Sequence, residues 1–450
     1  MRDLTIGSEA RLIFRFTVPM LIGNVFQQMY NVVDSIVIGK FLGNEALAAV
    51  GASFPLIFTL ISLIIGLATG GTIIISQYYG AKNLDMVRKA IDTMYIVMFV
   101  ASVILTITGF FTSKLIFELI DLPEDVIPLA VSYFNLYALG FVFFFGFQGT
   151  TSILRGLGDS KTPLYFLIAS TIVNIVLDLL FVVVFKWGVE GVAIATIISQ
   201  AGAFFTLILF LNRKNDLLIF RPLKMVFDKE IFIKSIKIGL PTGLQQTFVA
   251  VGMLALYKVV NIFGTTTIAA YTVAMRIDSF AALPAMNFSA ALSSFVGQNI
   301  GAGKLERVTK GLYATLWMTA IISIVVTLVA FLFSTPIMQL FTNDLEVIEA
   351  GKSYLYIVSA FYILFSTMFV YNGVLRGAGD TLIPMFVTLL ALWAIRIPLS
   401  WYLSSFMGPA GIWWGIPIAW GFGAFFSFVY FQTGKWKTKN VLYVKSDPRK

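Results

Sequence analysis

Leu154-Arg155-Gly156-Leu157-Gly158-Asp159 returns 221 residues later as Leu375-Arg376-Gly377-Ala378-Gly379-Asp380, and a proline follows each aspartate by four positions, at Pro163 and Pro384. The flanking pieces return in the same order. Gly43 with Ala48-Ala49 matches Gly264 with Ala269-Ala270. Gln77 to Lys89 (QYYGAKNLDMVRK) matches Gln298 to Lys310 (QNIGAGKLERVTK), and Gly188-x-x-Gly191 matches Gly408-x-x-Gly411. Four segments kept in order at offsets of 220 or 221 residues make the second half a copy of the first. Two equivalent halves in an apolar chain predict two bundles with a cavity between them, a plan that many secondary transporters share.

The solvent follows from composition. Hydrophobic residues make up 58% of the 450 residues and charged residues 12%, whereas a soluble domain carries about 25% charged residues. That much apolar surface calls for a bilayer. The chain holds no Cys and no His. This excludes disulfides, haem thiolates, Cys/His zinc sites and histidine proton relays, and leaves any proton chemistry to carboxylates. The N-terminal stretch has Arg2, Arg11 and Arg15 but no short apolar core ending in small residues, so no cleaved signal is expected.

Apolar stretches fall at 12–38, 48–79, 91–112, 127–152, 163–185 and 191–211, and again at 238–262, 269–296, 311–333, 348–373, 383–405 and 411–431. Lipid demands a backbone that satisfies itself, so each stretch is read as a helix. The expected fold is an all-α integral membrane protein, with twelve transmembrane helices in two pseudo-symmetric six-helix bundles. The expected divisions are an N-terminal lobe at 1–211, a linker at 212–237, a C-terminal lobe at 238–431 and a basic tail at 432–450. An even number of spans per half starts both halves from one side, related by an axis along the membrane normal. The first two spans of each half are longer than a membrane needs, which predicts tilt or extension beyond it.

Most basic residues gather on one side of this arrangement. They lie in the N-terminus, the 2–3, 4–5, 8–9 and 10–11 loops, the linker and the tail, and only Lys40, Lys114 and Lys186 face the other way. The bias places both termini in the cytoplasm. The net charge of +9 therefore reports topology and contact with anionic lipid, with no nucleic-acid partner required.

Charged residues deep within spans are few: Asp34, Asp178, Arg276, Asp278 and Arg396, with Lys258 and Lys352 among those near span ends where they can snorkel. A carboxylate at membrane depth costs roughly 2.5–3.5 kcal/mol on insertion scales and marks a functional site by default. Asp178 follows Asn174 by four residues, so both share a helical face and offer oxygens to a hard cation such as Na⁺, or a proton site on Asp178. Asp34 ends a polar stripe of Asn24, Gln27, Gln28, Tyr30 and Asn31, and Pro19 in the same span removes a backbone donor and permits a bend. The plainer alternative makes Asp34 and Asp178 caps or interhelical glue. Arg276 and Asp278 are two apart and so lie on different faces; Arg396 can serve Asp278, a lipid headgroup or packing. Met253 and Met275 can line a pliable pocket or face lipid. The LRGxGD turns read as hinges in which glycine allows the turn and aspartate caps the next helix, and no Gly-rich segment carries a phosphate-loop lysine.

Taken together, these residues resemble the multidrug and toxic compound extrusion (MATE) family over nearly the whole chain. The likeness rests on the span-1 aspartate and glycine in VVDSIVIGKFLG (Asp34, Gly39), the QYYGA and GQNIGAG ends of spans 2 and 8, and both LRGxGD turns. The NxxxD of span 5 is similar to the DinF-like branch. That resemblance implies a V-shaped pair of lobes and a cation site at Asp34, Asn174, Asp178 and Thr196. Tyr133 and Pro19 fall where that branch has a nearby tyrosine and a bending proline. Another branch carries acids on spans 7 and 10. Here span 7 has Gln245 and Gln246 and the stretch Tyr354–Gly373 of span 10 has no acid, so a second-lobe cation site of that kind is not expected.

The function expected from the resemblance is antiport of amphiphilic, cationic organic compounds against H⁺ or Na⁺ by a monomer in the inner membrane, without a cofactor. A lipid-linked oligosaccharide flippase of the same superfamily would need a cavity rich in Arg and Lys and about fourteen spans. A channel would need a filter. An enzyme would need a nucleophile or metal-ligand set, and none is visible.

Overall fold

The computed structural model describes residues 2–440 and 442. All twelve expected spans are helical. The first half holds α1 (Glu9–Phe41), α2 (Asn44–Gly80), α3 (Leu84–Leu119), α4 (Ile127–Leu139), α5 (Phe141–Gly156), α6 (Lys161–Asp178) and α7 (Gly188–Lys214). The second holds α8 (Lys229–Asn261), α9 (Gly264–Gly301), α10 (Leu305–Gln339), α11 (Leu345–Ser359), α12 (Tyr362–Gly377), α13 (Leu382–Leu389), α14 (Ile397–Met407) and α15 (Pro409–Gln432).

Among the described residues, nine helices are long and apolar enough to cross a bilayer, and two more spans are bent pairs, α4 with α5 and α11 with α12, each bent by 48°. The remaining expected span is α1, whose stripe of Asn24, Gln27, Gln28, Asn31 and Asp34 dilutes its apolar character. Spans 5 and 11 also depart from regular α-helix. A π-helical turn at Leu179–Val184 follows α6, and another at Leu390–Arg396 joins α13 to α14. The third span of each half is longer than hydropathy alone outlined. α3 starts at Leu84 and α10 at Leu305, because amphipathic turns extend each helix beyond its apolar core.

Contacts divide the chain into two units, one built on Val18–Gly243 and the other on Leu4–Thr17 with the chain from Leu244 onward. In the first unit α5 packs against α2 and α3, and α6 pairs with α7. The connection after α7 is docked on α3: the N–H of Asp228 donates to Thr93 Oγ1 at 3.0 Å and Arg88 donates to the Leu217 carbonyl at 3.0 Å. In the second unit α12 lies against α9, α10 and α15. Of the tail expected at 432–450, Trp436 is buried and stacks on Phe431 with centroids 5.2 Å apart. Residues 443–450, with Lys445, Arg449 and Lys450, lie outside the described residues.

The repeated glycines are turn residues. Gly43 and Gly264 have φ of 86° and 82°, and Gly188 and Gly408 have φ of 65° and 62°, a region that glycine enters without penalty. Within the LRGxGD pair the two aspartates differ. Asp159 accepts from the N–H of Lys161 (3.1 Å) and of Thr162 (3.0 Å) and from the Thr162 hydroxyl (2.7 Å), so it caps α6. Burial pushes its carboxyl upward, but the Thr162 and Lys161 donors outweigh that and hold it below the usual carboxylate range. That contribution to stability is present above the unfolded carboxylate range and is lost as pH falls through the lowered value. Asp380 instead accepts from the Tyr430 hydroxyl at 2.5 Å.

The GQNIGAG segment anchors the N-terminal strap in the second unit. Gln298 Oε1 accepts from the N–H of Leu4 at 2.9 Å, and Asn299 Nδ2 donates to the Leu4 carbonyl at 3.2 Å. Arg307 donates to Asn299 Oδ1 (3.0 Å) and the Gly7 carbonyl (2.8 Å) and pairs with Glu9 at 2.9 Å. Charge-assisted bonds of this kind contribute about 1.5–3 kcal/mol each. Arg307→Ala is therefore expected to lower the melting temperature and to speed trypsin cleavage after Arg11. An unchanged melting curve and cleavage rate would show that the strap is held by apolar contacts alone.

Candidate functional site

Four helices of the first unit converge on a polar cluster. Tyr30 and Asp34 lie four apart on α1, as do Asn174 and Asp178 on α6, so each pair shares a face. α4 contributes Tyr133 and Tyr137, and α7 contributes Thr196. Asn174, Asp178, Thr196, Tyr133 and Tyr30 are all buried, and Asp34 is half-buried.

The geometry ties these groups together. The Tyr30 and Thr196 hydroxyls are hydrogen-bonded at 2.9 Å. With its amide nitrogen turned toward the acids, Asn174 donates to Asp34 Oδ1 at 3.2 Å and to Asp178 Oδ2 at 3.1 Å. The two carboxyls lie within hydrogen-bonding reach of each other. Two ionised carboxylates can only accept, so the pair is stable only with a proton or a cation between its members. Asp178 Oδ1 is buried and receives no donor. For Na⁺, the oxygens at hand are those of Asp34, Asp178, Thr196 and Tyr30, joined by that of Asn174 only if its amide turns the other way. Among the described residues, no three Asp, Glu, His or Cys side chains gather as a metal centre.

Local backbone shapes this cluster. The π turn begins at the residue after Asp178, and such turns occur often at functional sites because they redirect side chains and loosen the ladder. Tyr137 was not foreseen from the sequence. It lies one turn beyond Tyr133, with ring centroids 6.0 Å apart, and its hydroxyl is within electrostatic range of Asp34. The Tyr-x-x-x-Tyr spacing that places both rings on one face was the available signal.

Other singled-out residues are elsewhere. α1 runs as helix through Pro19, eleven residues before Tyr30. Gln27 and Asn31 are half-buried on the same helix. Met253, Met275, Arg276, Asp278 and Arg396 all belong to the second unit. Met275 packs against the apolar cluster around Tyr271 and Trp413, Met253 is half-buried, and Arg276 is exposed. Asp278 is half-buried and accepts from the hydroxyls of Tyr354 and Tyr362, with buried Arg396 as its electrostatic partner. On span 7, Gln245 accepts from Arg376 at 2.7 Å and donates to Thr388 at 2.5 Å, so its amide serves to join spans 7, 10 and 11.

A twice-repeated set of membrane-spanning helices, with carboxylates held inside one of the units, defines a multi-pass membrane transporter. The MatE family model matches the chain twice, over residues 19–180 and 241–402, and the chain belongs to this family, whose members are transporters and not enzymes. The chain is 34% identical to the probable multidrug resistance protein YpnP of Bacillus subtilis, over 98% of this chain and 99% of that one. The probable multidrug resistance protein NorM of Thermotoga maritima is 27% identical over 96% of this chain and 94% of its own. Among solved structures, a MATE in the bent conformation superposes with a TM-score of 0.90 at 25% identity, covering 96% of both chains. The outward-facing conformation of a multidrug resistance MATE family transporter gives a TM-score of 0.90 at 24% identity, covering 96% of this chain and 97% of that one.

Proposed function

We propose that this protein is a secondary antiporter of the inner membrane. It exports amphiphilic, cationic organic compounds in exchange for H⁺ or Na⁺ by alternating access, as a monomer with both termini in the cytoplasm. The observation that carries this reading is the Asp34–Asn174–Asp178 contact: two acids bridged by one amide, largely shielded from water, that need a cation to coexist. The curated relatives named for multidrug resistance support the choice of cargo, and the basic bias of the loops supports the orientation.

The coupling is local. An ion entering between Asp34 and Asp178 relieves their repulsion and draws α1 and α6 together. Its departure drives them apart and reshapes the surface that holds the cargo. One H⁺ or Na⁺ exchanged for one monovalent cationic compound moves no net charge, so the ion's own concentration gradient drives export, and at about 1.4 kcal/mol per tenfold a tenfold ion gradient sustains a cargo gradient of about tenfold.

Ethidium efflux from proteoliposomes tests this, with an outward-to-inward ΔpH imposed alone and a Na⁺ gradient imposed alone. One of the two is expected to drive export against the dye gradient. If neither gradient moves dye, the antiport reading is wrong.

A further inference from the structure

The second unit has a carboxylate that the proposed cycle does not use. Asp278, on α9, accepts from the hydroxyls of Tyr354 and Tyr362. Tyr354 lies in the last turns of α11 and Tyr362 is the first residue of α12, so one carboxylate bridges the 48° break between them. Behind it, buried Arg396 stands at the end of the π turn Leu390–Arg396, with an Nε–H that has no acceptor. The buried Tyr271 hydroxyl, also without a partner, faces both Arg396 and Asp278. Beyond Tyr362 a cavity of about 10 Å³, lined in part by Thr319, Ser323 and Ser366, has room for about one water.

The repeat sharpens the reading. Tyr354 is the counterpart of Tyr133 and Tyr362 of Phe141, both at the 221-residue offset, and α4 and α5 break by the same 48° between the first pair. Position 57, the counterpart of Asp278, is Ile57. Each unit thus brings a carboxylate toward the same tyrosine at the same break, but from different helices: α1 and α6 in the first, α9 in the second.

We propose that Asp278 is a second proton-binding site, and that its proton controls the break between α11 and α12. As a carboxylate it accepts both hydroxyls and pins the two helices at their angle. A proton taken from the aqueous phase forms an O–H on Asp278. That oxygen then donates, so one tyrosine hydroxyl must turn from donor to acceptor and both contacts lose their charge-assisted strength. The site also gains one net positive charge. With the clamp weakened, the break can regain the backbone bonds of a continuous helix. A proton suits the site better than a metal, because both carboxylate oxygens are already occupied by donors. The groups facing Asp278 are Tyr271 from its own helix, Tyr354, Tyr362 and Arg396, with Tyr257 of α8 one ring further out. Nothing here depends on Asp34 or Asp178 acting in coupling.

The chain has no native cysteine, so spin labels can be placed at Glu346→Cys on α11 and Thr367→Cys on α12 of the full protein in nanodiscs. Acidification from neutral pH is expected to lengthen the label distance by about 2 Å, which is what straightening a 48° bend gives arms of this length at about 1.5 Å per residue. Asp278→Asn should hold the long distance at both pH values, Tyr362→Phe should shorten the pH response, and Asp34→Asn should leave it intact. If the distance ignores pH, or shifts as in the parent when Asp278 is Asn, the proposal is overturned. Should Asp278→Asn not fold, a parental pH response in Tyr362→Phe overturns it equally. Loss of the response in Asp34→Asn would assign the shift to the first-unit site.

Discussion

Asp178→Asn and Asp34→Asn are each expected to collapse gradient-driven export while the protein stays folded and still binds dye. The substitution keeps size and hydrogen bonding but removes the charge that makes the pair need a cation. The steady-state dye gradient is expected to fall to none, since no ion is then exchanged for cargo. Asp178 should be the more severe site, because it is fully buried and its Oδ1 receives no donor, whereas Asp34 is half-buried. Thr196→Ala removes one hydroxyl from the Tyr30 contact and should cost only about 1 kcal/mol, or about fivefold. Efflux in proteoliposomes measures all three. A Thr196→Ala defect as deep as that of Asp178→Asn would mean that the hydroxyl, and not the carboxylate pair, is the critical ligand.

Gly373→Leu should prevent recovery of folded protein. α12 meets α9 through small residues: a Cβ at Gly373 would lie 2.6 Å from the Ser289 carbonyl oxygen and 3.1 Å from its Cα. That neighbour is backbone, and the Ser289 hydroxyl is already committed to the Phe369 carbonyl at 2.6 Å, so neither side can yield. Overpacking into a movable side chain costs about 1–3 kcal/mol, and an immovable helix should cost more. Close approach through small residues is also how membrane helices gain much of their contact. Gly202→Ala is the control, since nothing lies within 4 Å of the new methyl. Size-exclusion profiles of the two variants should differ sharply. If Gly373→Leu elutes as the parent does, the packing described for the second unit is not what holds it.

The repeat and the hydropathy carried most of the fold, because lipid allows so few backbone solutions. What they missed is where a helix departs from regularity. The 48° breaks after α4 and α11 fall within continuous apolar runs, and neither Gly140 nor Phe361 marks a break without knowledge of its neighbours. The π turns after Asp178 and before Ile397 are similarly silent, since they arise from packing and not from propensity. The first-unit cluster was legible because Asn174-x-x-x-Asp178 and Tyr30-x-x-x-Asp34 each declare a face. The surroundings of Asp278 were not. Its partners come from α11, α12 and a π turn, 76 to 118 residues away in sequence, and tyrosines in an apolar span look like packing until a carboxylate is found between them.

The central claim is that the Asp34–Asp178 pair exchanges its ion when cargo binds. Ethidium added to the purified, weakly buffered protein, with proton release followed by a pH dye and ²²Na⁺ release by filtration, addresses this most directly. The wild type is expected to expel one of the two ions as dye binds, and Asp178→Asn to bind dye with no such release. Equal ion release from both proteins, or dye binding to the wild type with none, would contradict the account.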